Sequence, residues 1–244
     1  MGNTTYRDAL RKALSDGMTA DPDIVLIGEE VGRYGGAYGV TKGLIDEFGA
    51  ERVIDTPISE PSIVGAAVGA AMSGLRPVAE LMYVDFIGMT MDQLANQAAK
   101  IRYMFGGQIG VPMILRTQGG TGRSAGAQHS QSLEAYIMHT PGLRLAMPAT
   151  VSDAYHLLQQ SLAQPDPVVF IEHKALYATS GELDDKAPAA PWGKAHVPRL
   201  GNDLVIVTYS RQLHYALSAA KTLAKDGIEA TIIDLRTLNP LDID

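Results

Sequence analysis

"RVIDTPISEPSIVGAAVGAAMSGLRPVAEL", residues 52–81, decides the fold. A short apolar segment (52–57) turns at Pro57 into a helix (60–74), and the chain leaves it through a second apolar segment (76–81). Ser59 suits the N-cap, and Pro61 suits the first helical turn, where a missing N–H costs nothing. Such a strand–helix–strand unit recurs on both sides of this stretch. "DIVLIG" (23–28), "VPMILRT" (111–117), "LRLAMP" (143–148) and "PVVFIE" (167–172) read as further strands. All are near-continuously hydrophobic, as expected of strands covered on both faces. Helices are expected at about 4–20, 41–48, 86–105, 131–139 and 150–163, the last capped by Thr150 or Ser152. The alternation implies α/β architecture: an open parallel sheet with helices on both faces.

The rhythm breaks at 175–201, rich in Pro, Gly and charge, which reads as a linker between a first domain (1–174) and a second unit (202–244). That unit reads as one βαβ, "DLVIVTYS", "QLHYALSAAKTLAKDG" and "IEATIIDLRTL". Alone it leaves one face of a two-stranded sheet bare.

Composition narrows the function classes. The 244 residues include 20 basic and 27 acidic side chains, a net charge of −7. With no Lys/Arg stripe, nucleic-acid binding is disfavoured. No apolar run is long enough to span a membrane. Cysteine is absent, which removes thiolate chemistry and suits a reducing compartment. The N-terminus has no signal-peptide pattern, so the expected location is the cytoplasm.

Four places carry candidate chemistry. Glu60 opens the 60–74 helix, where it is readable either as an acid complementing the helix dipole or as a functional carboxylate. That helix holds Gly65, Gly69 and Gly74, each costing about 1 kcal/mol relative to alanine, so a close backbone neighbour should offset them. The neighbour could lie within the sheet layer or across a subunit interface. "QGGTGRSAGAQHSQ" (118–131) lies between a strand and a helix, where open α/β sheets place ligand loops. Its glycines fit neither G-x-G-x-x-G nor the P-loop, and His129 has no partner at metal-ligand spacing. His129 is thus either a solvated loop residue or a group aimed into a pocket. Tyr83 and Phe86 at one strand end, and Glu29 and Glu30 at another, read individually as core aromatics and solvated acids. Together Glu60, Phe86 and His129 fall at one edge of one sheet.

"GEEVGRYGGAYGVTKGL", "DTPISEPSIVGAAVGAAMSGLRPVAE", "DQLANQAAK", "QHSQSLEA" and "HTPGL" resemble the β subunits of 2-oxoacid dehydrogenase E1 components, of pyruvate, branched-chain and acetoin type. The resemblance runs from about residue 4 to the end. It implies a transketolase-like pyrimidine-binding domain followed by the start of a transketolase C-terminal-like domain, shorter here than in the family. It also implies an α2β2 heterotetramer in which thiamine diphosphate lies between α and β. Glu60 then matches the glutamate that hydrogen-bonds N1′ of the aminopyrimidine, and Phe86, with Tyr83 beside it, the aromatic packed against that ring. His129 matches a histidine that guides substrate or the lipoyl group of an E2 partner and exchanges protons. Glu29 matches an acid in a polar tunnel between active sites, and the small-residue helix one packed in a subunit interface. The Gly-Asp-Gly motif that holds Mg²⁺ and the diphosphate does not occur in this sequence, so both are expected on the α subunit. A structural potassium ion, held by backbone carbonyls, is implied at Met113, Ser161, Leu162, Gln164 and Asp166. The expected activity is oxidative decarboxylation of a 2-oxoacid, or acetoin cleavage, with acyl transfer to a lipoyl E2. The alternatives are an α/β carboligase without a lipoyl partner and a non-catalytic assembly subunit.

Overall fold

The computed structural model of the chain describes residues 2–244. Its elements are, in order, β1 (Gly2–Thr5), α1 (Tyr6–Ala20), β2 (Ile24–Gly28), α2 (Leu44–Phe48), β3 (Val53–Asp55), α3 (Glu60–Met72) and β4 (Arg76–Leu81). Then follow α4 (Ala99–Met104), β5 (Ile114–Gly119), α5 (Glu134–Met138), β6 (Arg144–Ala146), α6 (Val151–Leu162) and β7 (Val168–His173). The last are β8 (Ser180–Leu183), β9 (His196–Arg199), β10 (Leu204–Thr208), α7 (Gln212–Leu223), β11 (Ala230–Asp234) and β12 (Thr237–Asn239).

Seven strands form the main sheet in the order β12-β6-β7-β5-β4-β2-β3, parallel except for the β12–β6 pair. Alternate residues of each strand feed two cores. Val168 and Phe170 of β7 join α1 and α6 on one face, through Leu10, Leu14, Leu157 and Leu158. Val169 and Ile171 join α3 and α4 on the other, through Ile63, Val64 and Ile101. Burial on both faces is why these strands read as unbroken apolar runs. Both long outer helices start on a threonine cap: Thr5 Oγ1 accepts from Asp8 N at 3.1 Å and Thr150 Oγ1 from Asp153 N at 3.0 Å.

Four expectations change. The helix expected over 86–105 is tight three-residue turns over 84–90, a wide-turned stretch over 92–98, and only then α4. The Thr90 hydroxyl donates back to Ile87 O at 2.9 Å, which closes the first turns. The helix expected from 131 begins at Glu134, because Ser130 N and Gln131 N donate to Asp85 instead of starting a helix. Residues 175–201 are not bare linker: β8 pairs antiparallel with β1, and β9 pairs with β11. The second unit is therefore a three-stranded sheet, β10-β11-β9, and β12 returns to the main sheet. At that corner the buried Arg236 Nε meets Asp153 of α6 at 2.8 Å.

Only two of the three glycines lie within α3. Gly74 follows it at φ 103°, the left-handed conformation that ends helices. A side chain at Gly65 would sit 3.5 Å from Gln93, in ordinary contact, and one at Gly69 would meet open space. Among the described residues no close neighbour requires them. Ser62, Ala66 and Gly69 form an exposed, small-residue face.

The strand ends are joined by one cation. Arg116 of β5 is fully buried, donating twice to Glu172 of β7 (2.7 and 2.9 Å) and once to Glu80 of β4 (2.8 Å). Burial opposes its charge, but the Glu172 and Glu80 carboxylates hold the guanidinium above its ordinary range. Gln118 Nε2 donates to Glu80 at 3.2 Å and the Tyr177 hydroxyl to Glu172 at 2.6 Å. Arg116→Met would leave two carboxylates facing each other in a dry layer. The expected loss in urea unfolding is about 3–5 kcal/mol; a loss below about 1 kcal/mol would refute the clamp.

Candidate active site

The carboxyl ends of the parallel strands carry the candidate residues. Glu60 begins α3 beyond the end of β3 and is 7% exposed, an unusual depth for a carboxylate outside an ion pair. It enters no ion pair among the described residues. The Ser59 side chain makes no capping bond to the helix; its hydroxyl donates to Ser62 Oγ at 2.8 Å. Glu29, beyond the end of β2, is half-buried, and burial together with the Glu60 and Glu30 carboxylates raises its pKa. Two acids thus share one edge, and among the described residues neither meets a cation at ion-pair distance.

Across from β2 and β3, the ends of β4 and β5 present an aromatic group. The His129 ring lies 4.5 Å from the Tyr83 ring and 5.5 Å from the Phe86 ring, both edge-on. Tyr83 also meets Phe86 at 6.3 Å and Tyr38 at 6.4 Å. The histidine is therefore a ring seated on two aromatics rather than a solvated loop residue. Glu29 and Glu60 form one group and Tyr83, Phe86 and His129 another, on neighbouring strand ends.

Two residues not singled out in the sequence hold the histidine loop. The Asp85 carboxylate accepts from Ser130 N at 3.1 Å and Gln131 N at 3.0 Å. Lys174, 2% exposed, donates to the carbonyl oxygen of His129 and places its ammonium 5.2 Å over the Tyr83 ring. Asp85 lies within the aromatic stretch next to Phe86, so its neighbourhood was a signal. Lys174 has none: its sequence environment is an ordinary strand end. On the other edge, Asp55 accepts from Gly32 N at 2.6 Å and fixes the loop that carries Glu29 and Tyr38. Gly28 is needed there, since a side chain would press within 2.8 Å of the Glu80 carbonyl.

The five carbonyl positions, by contrast, gather at the opposite ends of the strands, before β5 and β7. Leu162 O and Gln164 O accept from the Arg76 guanidinium, at 3.0 and 3.1 Å. Met113 O accepts from Val168 N at 3.0 Å and Ser161 O from Gln164 N at 3.1 Å. The Asp166 carboxylate pairs with Arg102 at 2.7 Å and Arg144 at 3.2 Å. Four of these five carbonyls already serve the chain's own donors. Among the described residues no three His, Cys, Asp or Glu side chains gather closely enough to hold a metal ion, and no helix is long and apolar enough to cross a membrane.

Comparison with known proteins gives a consistent result. The transketolase pyrimidine-binding domain family matches residues 3–179, and the transketolase C-terminal domain family matches residues 193–244. The chain is 49% identical, over 97% of its length, to acetoin:2,6-dichlorophenolindophenol oxidoreductase subunit beta of Cupriavidus necator, of which it covers 72%. It is 48% identical, over 98% of its length, to the mitochondrial pyruvate dehydrogenase E1 component subunit beta-2 of Oryza sativa subsp. japonica, and spans 64% of that protein. For 2-oxoisovalerate dehydrogenase subunit beta of Bacillus subtilis the identity is 43%, over 99% of this chain and 74% of that one. Among solved structures, a split-gene transketolase described as an inactive β4 tetramer superposes with a TM-score of 0.80 at 21% identity, over 99% of this chain and 74% of that one. A transketolase from Pichia stipitis gives 0.77 at 14% identity, over 100% of this chain and 36% of that one. At these identities the two structures show a shared fold.

His173, next to Lys174, yields a pH prediction. Burial, with the nearby Arg211 and Lys174 charges, lowers its pKa to about 4, and its Nδ1 accepts from Ala175 N at 3.1 Å. The unfolded imidazole takes its proton near pH 6.5. Between that value and about 4 the unfolded state therefore binds more protons, and stability falls as pH falls. Melting temperature followed over this window should decline less steeply in His173→Asn than in the wild type. Parallel curves would remove His173 from the acid response.

Proposed function

Because the chain belongs to the family of 2-oxoacid dehydrogenase E1 β subunits, built on a transketolase-type pyrimidine-binding domain, we propose that it supplies one half of a thiamine diphosphate site. Its partner is an α-type subunit, and its substrate is a small 2-oxoacid or acetoin. The observation that carries this reading is Glu60: a carboxylate 7% exposed, without a counter-ion, beside a second acid and an aromatic cluster. A buried acid left unneutralised calls for a ligand that shares a proton with it, and a pyrimidine ring nitrogen is such a ligand.

Thiamine diphosphate, when bound, supplies the carbon nucleophile and electron sink that no protein side chain offers. The chain's own residues do the rest. Glu60 holds a proton at the pyrimidine ring nitrogen. Phe86 and Tyr83 exclude water from that region and seat His129 in edge-to-face contacts. His129 exchanges a proton with substrate or acyl acceptor. Its ring packs edge-to-face on Tyr83 and Phe86, while its loop is anchored by Asp85 and Lys174. Glu29, with its raised pKa, retains a proton more readily than a solvated acid and is suited to passing one on. Mg²⁺ and the diphosphate fall to the partner. The exposed small-residue face of α3 supports a subunit contact there, since Ser62, Ala66 and Gly69 let another backbone approach. An α2β2 assembly with a β–β contact, and delivery of the acyl group to a lipoyl E2, complete the proposal. A structural potassium ion at the carbonyls of Met113, Ser161, Leu162, Gln164 and Asp166 belongs to the same proposal, since a carbonyl that accepts one hydrogen bond keeps a second lone pair.

The relatives named for acetoin, pyruvate and 2-oxoisovalerate lie at 49%, 48% and 43% identity, too close together to choose a substrate. The test is co-expression with an α-type subunit and assay of 2-oxoacid decarboxylation. Glu60→Gln should lower the rate at least about 100-fold, as loss of a positioned proton-transfer group does, without a change in melting temperature. Full activity in that variant would sink the mechanism. His129→Ala should lose acyl transfer to a lipoyl domain while cofactor binding persists, and unchanged transfer would remove the residue from the reaction.

A further inference from the structure

A cavity of about 630 Å³ opens beside the histidine loop, between the segments 34–42, 122–123 and 174–178. Arg7, Lys42, Arg123 and Lys174 line it together with Tyr38 and Tyr177, and no acidic side chain does. In a chain of net charge −7 this concentration of cations is a local exception. Arg7 pairs with Asp8, and the Asp85 carboxylate acts on Lys174 from beyond ion-pair distance, but among the described residues the other cations have no direct counter-ion. Among the described residues none of Lys42, Arg123 and Lys174 meets a carboxylate at ion-pair distance.

The inner wall makes the case. Lys174 is 2% exposed and carries three N–H donors, of which the His129 carbonyl takes one. An ammonium held out of water with donors unused is costly, and an anion entering the cavity would relieve it. Arg7 Nε is also buried without a hydrogen bond, 3.7 Å from Asp8 Oδ1. At the mouth, the Arg123 guanidinium lies 5.7 Å over the Tyr38 ring, and Tyr38 stacks on Tyr177 at 4.6 Å. Burial pushes the Tyr38 hydroxyl up to about 12, so at neutral pH it remains a donor.

We propose that this cavity binds a small oxyanion, a carboxylate or a phosphate, with Lys174 as the inner contact and Lys42 and Arg123 at the mouth. The site is separate from Glu60 and needs neither the cofactor nor a partner subunit, so it stands or falls independently of the reading above. It touches that reading at the His129 carbonyl and at the Tyr83 ring, and an occupant that draws Lys174 inward would loosen the histidine loop.

The test is isothermal titration of the chain, at low ionic strength, with inorganic phosphate and separately with pyruvate. One saturable site is expected for at least one probe, and the tighter of the two names the source. Lys42→Gln/Arg123→Gln, both at the exposed mouth, should weaken binding about tenfold or more. Lys225→Gln, an exposed cation of the second unit, should leave it unchanged. No saturable uptake of either probe, or wild-type affinity in the double variant, would overturn the proposal. So would loss of binding on assembly with the α-type subunit, which would make an acidic part of that partner the occupant.

Discussion

A guanidinium that sees no water holds the carboxyl ends of three parallel strands in place. Arg116 takes Glu172 on one side and Glu80 on the other, and the loops carrying Glu29, Phe86, His129 and Lys174 leave from these strands or from β2 beside β4, with Glu60 one strand further out, after β3. The price of burying three charges is high, and it is met by a bidentate pair and by further donors from Gln118 and Tyr177. Tyr177 then stacks on Tyr38, Tyr38 meets Tyr83, and Tyr83 carries the His129 ring. The polar clamp inside the sheet and the histidine at its rim are thus one continuous packed path.

That path gives the two halves of the edge different characters. The β4/β5 side is tied down: Asp85 fixes the loop after His129, and Lys174 fixes the carbonyl of His129 itself. The β2/β3 side is left in tension, with Glu29 and Glu60 sharing an edge and, among the described residues, no cation at ion-pair distance from either. Nearby, the basic cavity has the reverse imbalance. Charges left unbalanced within a fold are stabilised by what binds to it, and here acids and cations are segregated rather than paired. The same holds for the small-residue face of α3, which none of the described residues covers.

The sequence made the sheet legible because burial on both faces leaves a plain signature. Val168, Val169, Phe170 and Ile171 all read as core, whichever face each meets. Thr5 and Thr150 act as caps for the same local reason that makes threonine a cap anywhere. Elements that depend on distant partners were hidden. β8 exists because β1 pairs with it, across more than 170 residues of chain, and a Pro/Gly-rich stretch offers no hint of that. The start of α5 shifted because Asp85, far back in the chain, takes the amides of Ser130 and Gln131. In the site, Glu60, Phe86 and His129 were visible as a constellation at one sheet edge. Lys174 was not, since its importance lies in a carbonyl contact and an aromatic face that only folding brings to it.

The central claim is that this chain holds half of a cofactor site. Binding of thiamine diphosphate in the presence of Mg²⁺, measured calorimetrically on the chain alone, on an α-type subunit alone and on the two combined, tests it most directly. The account predicts saturable binding only in the combined sample, with Glu60 among the contacts. Tight binding of the cofactor by the isolated chain would contradict it.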